Sequence, residues 1–237
     1  MDLFKFALGP YEFFASIIGG VPILLATFLL YNPVISLQEL IVQISASFSI
    51  QLLIALSLCS YLLGGLTQGI TWKYFLVLCD LFDKDFEYFG KNFITNKNKE
   101  LAAMDQQSTP KTLEFEDKLV LLLREKIGIP NPISWIYPRL CSYLKEHNRP
   151  SIVTADLYQA THIMYRNISF CLLLVGLSLF VNLLRVRLFS FEQLLILLAA
   201  VVLAYVAFVR SVSFKRWYTR EVLLGFYFAV CNEDRVT

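Results

Sequence analysis

Residue types that do chemistry are sparse in this chain, and their spacing fits no catalytic set. There is no serine nucleophile elbow, no phosphate-cradling glycine loop and no His-Glu-x-x-His zinc pattern. Cys59, Cys79, Cys141, Cys171 and Cys231 are widely spaced, with no Cys-x-x-Cys pair and no histidine at metal-ligand spacing. They read as reduced, structural thiols. The acidic run Asp80, Asp83, Asp85 and Glu87 reads as a solvated face rather than a cation site. The sequence therefore predicts neither an enzyme nor a bound cofactor or metal.

The most informative polar residues lie inside an apolar block. At 100° per residue, Gln43, Ser47, Gln51, Ser57, Ser60, Tyr61, Gly65 and Gln68 fall in about half of one helix, opposite leucine and isoleucine. Two readings fit. Small and polar residues let neighbouring helices approach and hydrogen-bond, with Gly65 and Gly69 as a four-residue pair. Alternatively, the stripe lines an uncharged water path built from several copies of the chain.

A second set is basic and aromatic. Tyr158, His162 and Arg166 recur every four residues, and Arg210, Lys215, Arg216 and Arg220 surround Trp217 and Tyr218. Such groups meet lipid headgroups at a membrane edge, and the same chemistry suits a small anionic ligand. His162 by itself reads as a hydrogen-bonded packing histidine. The sequon Asn167-Ile168-Ser169 is expected to go unused on the cytoplasmic side.

The elements that carry these residues follow from composition. Hydrophobic residues make up 57% of the 237 positions, and mean hydropathy is +0.57. That is well above the roughly 45–50% of soluble domains. A net charge of +2 gives no basic excess of the kind nucleic-acid binders show, so no nucleic acid is expected. Four apolar blocks are long enough to span a bilayer, which takes about 20 residues. They run from Phe14 to Tyr31, with a kink expected at Pro22, then from Leu40 to Gly65 behind a Ser36/Glu39 capping box. The third runs from Asn167 to Leu184 between Arg166 and Arg185, and the fourth from Phe191 to Val209 behind Ser190/Gln193. The first block lacks a cleavage pattern and is expected to remain as a helix.

Thirteen of the twenty-one basic residues lie between Ile70 and Arg166, and only Arg185 and Arg187 occupy the opposite loops. The positive-inside rule then places the middle segment and both termini in the cytoplasm of a multi-pass protein of the cell or inner membrane. The expected organisation is a transmembrane hairpin (1–69), a cytoplasmic helical segment (70–166), a second hairpin (167–209) and a basic, aromatic tail (210–237). The fold class is all-α, with four transmembrane helices in two hairpins that extend into a cytoplasmic helical bundle.

Within the soluble part, apolar steps of three and four carry the second helix from Trp72 to Phe93. Asn96 to Lys111 reads as a loop. A helix starts at Thr109-Pro110 and stops at Gly128, and Asn131-Pro132 opens another that Pro138 breaks or kinks. Thr154 caps the helix leading into the third span, and the fourth helix meets no breaker until Gly225.

These features predict a homo-oligomeric membrane pore controlled by its cytoplasmic bundle, of the kind that membrane-permeabilising effectors form. The alternatives are a membrane anchor that binds a soluble protein partner and a lipid-acting enzyme using His162, Arg166 and Asp80. Expected partners are membrane lipids, further copies of the chain, and a soluble protein or small anionic ligand at the bundle.

Overall fold

A computed structural model describes residues 10–32, 37–46, 49–90, 92–104, 114–130, 133–186 and 191–233, and among them there is helix but no strand. The helices are α1 (Pro10–Tyr31), α2 (Leu37–Ala46), α3 (Ile50–Leu66), α4 (Gln68–Leu81), α5 (Phe93–Met104), α6 (Phe115–Lys126), α7 (Ile136–Glu146), α8 (Ser151–Val186) and α9 (Phe191–Glu233). By length and composition α8 and α9 are apolar enough to cross a membrane. A third span exists if α3 and α4, bent by 55° at Thr67, count as one. The described side chains of α1, Ser16–Tyr31, form a shorter apolar helix.

Contacts divide the chain into two units: Met1–Lys84 with Ala160–Phe214, and Asp85–Gln159 with Lys215–Thr237. The boundaries fall near Lys84, Gln159 and Phe214, whereas composition suggests Gly69, Arg166 and Val209.

The first unit is built on small residues. Ser16 and Gly20 of α1 meet Gly64 and Ser60 of α3, so these two helices run antiparallel at backbone contact distance. Glycine is required here, because a Cβ at Gly20 or Gly64 would lie under 3.0 Å from the carbonyl oxygen of Ser60 or Ser16. Side chains of α8 reach the carbonyls of α1 in parallel register. The Cys171 thiol donates to Gly19 at 3.0 Å, Asn182 Nδ2 donates to Leu29, and Arg185 donates to Leu30 at 2.8 Å. A small apolar cluster of Ala26, Leu29 and Val175 lies between them.

The expected single second helix is instead three. α2 ends at Ala46, and α3 starts anew at Ile50, where the Ser49 hydroxyl accepts from the Leu52 N–H at 3.2 Å. Thr67 then separates α3 from α4, its hydroxyl bonded back to Leu63 O at 2.8 Å. Uncharged composition marks a span but does not register such breaks, because serine and threonine end helices through their own backbone hydrogen bonds. The capping residues Ser36 and Ser190, and Thr109-Pro110, lie outside the described residues.

The run from Trp72 to Phe93 is likewise not one helix. α4 stops at Leu81, and Asp83 (φ +49°), Gly90 (φ +88°) and Asn92 (φ +67°) turn the chain through left-handed conformations. The periodicity misled because it joins two cores. Phe75 and Cys79 are buried in the first unit, whereas Phe89 and Phe93 pack in the second.

The second unit has its own core, in which Leu119, Leu123, Ile136, Leu140, Leu144 and Ala155 surround Val222, Leu223, Phe226, Ala229 and Val230 of α9. Asn96–Met104 is helix rather than loop. Among the described side chains of α5 only Ile94 and Leu101 are buried, one heptad apart, which is too sparse to show as a period. α6 opens at Glu114, whose N–H donates to Asp117 Oδ2 at 3.1 Å, and stops before Gly128 at φ +72°. Pro138 neither breaks nor kinks α7. It sits in the first turn, and the carbonyl four residues behind it belongs to Ser134 in the preceding 3-10 turn Ile133–Trp135 rather than to the α-helix. α8 starts one turn before Thr154, at Ser151 behind Pro150. Gly225 does not break α9, which continues to Glu233; its bare Cα allows the close approach of Ser151.

Lys97 joins α5 to α6 through Asp117 at 3.0 Å, and that carboxylate holds the lysine above its ordinary value of 10.5. A lysine raised on folding contributes stability below its unfolded value and loses it as pH climbs through the folded one. Amide exchange of α5 is therefore expected to accelerate beyond the intrinsic base-catalysed rate once pH passes 10.5. A Lys97→Met variant should show that excess already at neutral pH. Equal protection factors in the two proteins would refute the link.

Candidate functional site

Buried polar groups in the first unit follow two faces of α8. His162, Ser169 and Gly176, seven residues apart, face α9. Asn167, Cys171, Ser178 and Asn182 lie on the opposite side, where Asn167, Cys171 and Asn182 meet α1. Heptad spacing keeps small or polar residues on one antiparallel seam, since two turns return to the same face. The partners on α9 are also seven apart: Ser211 beside His162 and Ala204 beside Ser169, with Leu197 beside Gly176.

At the first level, His162 Nδ1 lies 3.0 Å from the Ser211 carbonyl and 2.9 Å from its hydroxyl. A carbonyl only accepts, so Nδ1 carries the proton; the serine hydroxyl donates in turn to His162 O at 3.2 Å. The ring is fully buried, edge-on to Phe75 at 4.9 Å and to Trp72 at 6.1 Å. One turn on, the Arg166 guanidinium lies 5.5 Å from the Trp72 ring centre, and the residue is only 6% exposed. At the next level Tyr74 donates to Ser169 at 2.9 Å, and Ser169 donates to Ala204 O at 2.8 Å.

Thr71 lies 3.0 Å from Gln68 O and 2.8 Å from Asn167 Oδ1. One hydroxyl proton cannot serve both. The consistent arrangement turns the Asn167 amide so that it donates to Thr71 while Thr71 donates to Gln68. These bonds orient the helices against one another, and at the His162–Ser211 contact the ring Nδ1–H is the donor while the serine hydroxyl donates to His162 O.

The polar stripe is dispersed. The Gln43 side chain and Ser47 lie outside the described residues, and the breaks between α2, α3 and α4 interrupt the 100° progression. Ser60 is buried against Gly20, Tyr61 and Gln68 are half-buried, and Gln51, Ser57 and Gly65 are exposed. Gly65 and Gly69 have nothing within 4 Å of a Cβ, so the close pairing is made by Ser60 and Gly64 instead.

The basic and aromatic set divides between the units. His162, Arg166 and exposed Arg210 belong to the first. In the second, Tyr158 packs on Trp217 at 5.7 Å between ring centres, Lys215 donates to Gln159 at 3.0 Å over the Tyr218 ring, and Arg220 covers Tyr88 at 5.6 Å. Arg216 is exposed. Tyr158, Trp217, Arg220 and Glu221 line a recess of about 180 Å³, and beside Glu221 a groove of about 460 Å³ runs along Arg149, Ser151, Leu224 and Phe228. Burial pushes the Cys141 thiol up, beside Tyr218 Oη at 3.3 Å, which makes it a poor nucleophile at neutral pH.

Sequence reasoning did not single out Trp72, Ser211, Gly20 or Gly64 as parts of these contacts. The heptad 162–169–176 opposite 197–204–211 was the available signal for the α8–α9 seam. The class this defines is an all-helical protein with two, or up to three, helices apolar enough to cross a membrane. Comparison with protein-family models, curated proteins and solved structures returned no match.

Proposed function

We propose that this chain is a four-span integral membrane protein that assembles with copies of itself around an uncharged water path. α1, the α3–α4 pair, α8 and α9 serve as the spans, forming two hairpins. The termini and the second unit are cytoplasmic, and that unit controls the path through α8 and α9, which run through both units.

The observation that supports this reading is the exposure of α3. Its buried residues are Ser60 and Gly64, and Gln51 and Ser57 stand exposed among Ile50, Leu53, Ile54, Leu58 and Leu62. In a bilayer an amide facing lipid is unfavourable, and a neighbouring copy or a water path removes that cost. Gln51→Leu is expected to lower ion flux through reconstituted liposomes about five-fold, the scale of one polar contact of about 1 kcal/mol. Wild-type liposomes that pass no ions, or a variant with unchanged flux, would end the pore reading. Particle images in detergent should show a ring around a central axis.

A second reading, an anchor for a soluble partner, draws on the second unit, where Trp135 and Phe228 are 61% and 57% exposed. It is supported if the chain is monomeric in detergent and a stoichiometric partner co-purifies.

A further inference from the structure

We propose that Arg166 holds a phosphate group, most simply the phosphate of an anionic lipid headgroup, at the point where α8 enters its uncharged stretch. This rests on the membrane reading of the first unit. Arg166 is 94% buried by residue area, and its Nε is sealed without a hydrogen-bond partner. Among the described residues no carboxylate pairs with it, and the contact it makes is with the Trp72 ring. An aromatic face offsets a cation only in part, and a buried charge without a counter-charge is among the least favourable arrangements in a folded chain. An anion is therefore missing from the protein side of this contact.

The surroundings select which anion. The next charged residue along α8 is Arg185, so Arg166 marks one edge of the apolar run, the depth at which lipid phosphates lie. Trp72 is half-buried, as interfacial tryptophans are, and its neighbour Lys73 on α4 is exposed. Nε is the sealed nitrogen; the terminal nitrogens are not among the sealed, unpartnered atoms, so the tip of the fork is the accessible edge. A guanidinium fork presents two parallel donors, which match two phosphate oxygens. His162 does not compete for this role, because its ring is fully buried and bonded to Ser211.

Trp72 provides the readout. The chain has three tryptophans, and Trp135→Phe with Trp217→Phe leaves Trp72 as the sole emitter. This protein is reconstituted in phosphatidylcholine vesicles containing a small fraction of either brominated phosphatidylglycerol or brominated phosphatidylcholine. The expected result is an approximately five-fold enrichment of the anionic lipid at Trp72, seen as stronger quenching, the scale of one basic residue at an anionic surface. Arg166→Gln should abolish the difference, and Arg166→Lys should keep part of it. Loss of the difference in excess inorganic phosphate shows a site open to free phosphate; persistence shows a lipid-borne one. Equal quenching by both lipids in the unsubstituted-Arg166 protein overturns the proposal whether or not Arg166→Gln folds. Protein that fails to sediment with the vesicles overturns the membrane reading instead.

Discussion

Gly20→Ala and Gly64→Ala are each expected to lower the thermal midpoint in detergent by about 2–12 °C, the consequence of roughly 1–3 kcal/mol of overpacking in a chain of this size. A single methyl has this effect because it meets backbone. The atoms facing both glycines are the carbonyl, carbon and Cα of Ser60 or Ser16, and none can rotate aside. α1 and α3 must separate by the width of the added group. On the membrane reading proposed above, no water expulsion draws the two helices together, and such contact is what associates them.

Gly65→Ala and Gly69→Ala supply the control. Nothing lies within 4 Å of either added methyl, and alanine favours helix by about 1 kcal/mol over glycine. Neither should lower the midpoint of the isolated chain. If copies pack against this edge of the α3–α4 pair, the same two variants should change oligomer size while sparing the fold. Midpoints that fall equally for all four glycines would show that the Ser16–Gly20 and Ser60–Gly64 crossing is not the special contact.

The helical class and the long α8 and α9 were legible because apolar composition and uncharged length are properties of the chain taken in order. Contacts were legible only where they repeat. The stripe through Gln43 and Gln68 assumed one rigid helix, and the turns at Ser49 and Thr67 divided it. Trp72 to Phe93 kept a faultless period across a real break, since two cores can share one spacing. α5 shows the converse: two buried residues, Ile94 and Leu101, and an ion pair from Lys97 hold a helix whose sequence is otherwise polar. His162 was recognisable as a packing histidine in type, but its partner Ser211 is 49 residues away and carries no local signal.

The tail after Val209 is where sequence and structure differ most in consequence, and Phe226→Ala tests the difference. Its basic and aromatic start suggests an anchor on lipid headgroups. In the second unit, however, Phe226 is fully buried in a core that also holds Leu144 of α7 and Ala155 of α8, and its ring centre lies 5.2 Å from that of Tyr143. Truncating it removes about 3–5 kcal/mol by the usual scale for a buried phenylalanine. A helical unit of this size has few kcal/mol to spare. Trypsin should then cut faster at Lys118, Lys126 and Arg139, which are exposed but held in α6 and α7, while the apolar stretch of α8 after Arg166 remains resistant. Were the tail an interfacial anchor, the variant would instead bind vesicles less tightly with its cleavage pattern unchanged. At 43 residues, α9 measures roughly 65 Å at 1.5 Å per residue, about twice a bilayer's hydrocarbon thickness. Part of it must therefore lie outside the hydrocarbon, and its Val222–Val230 face already has a protein core to fill.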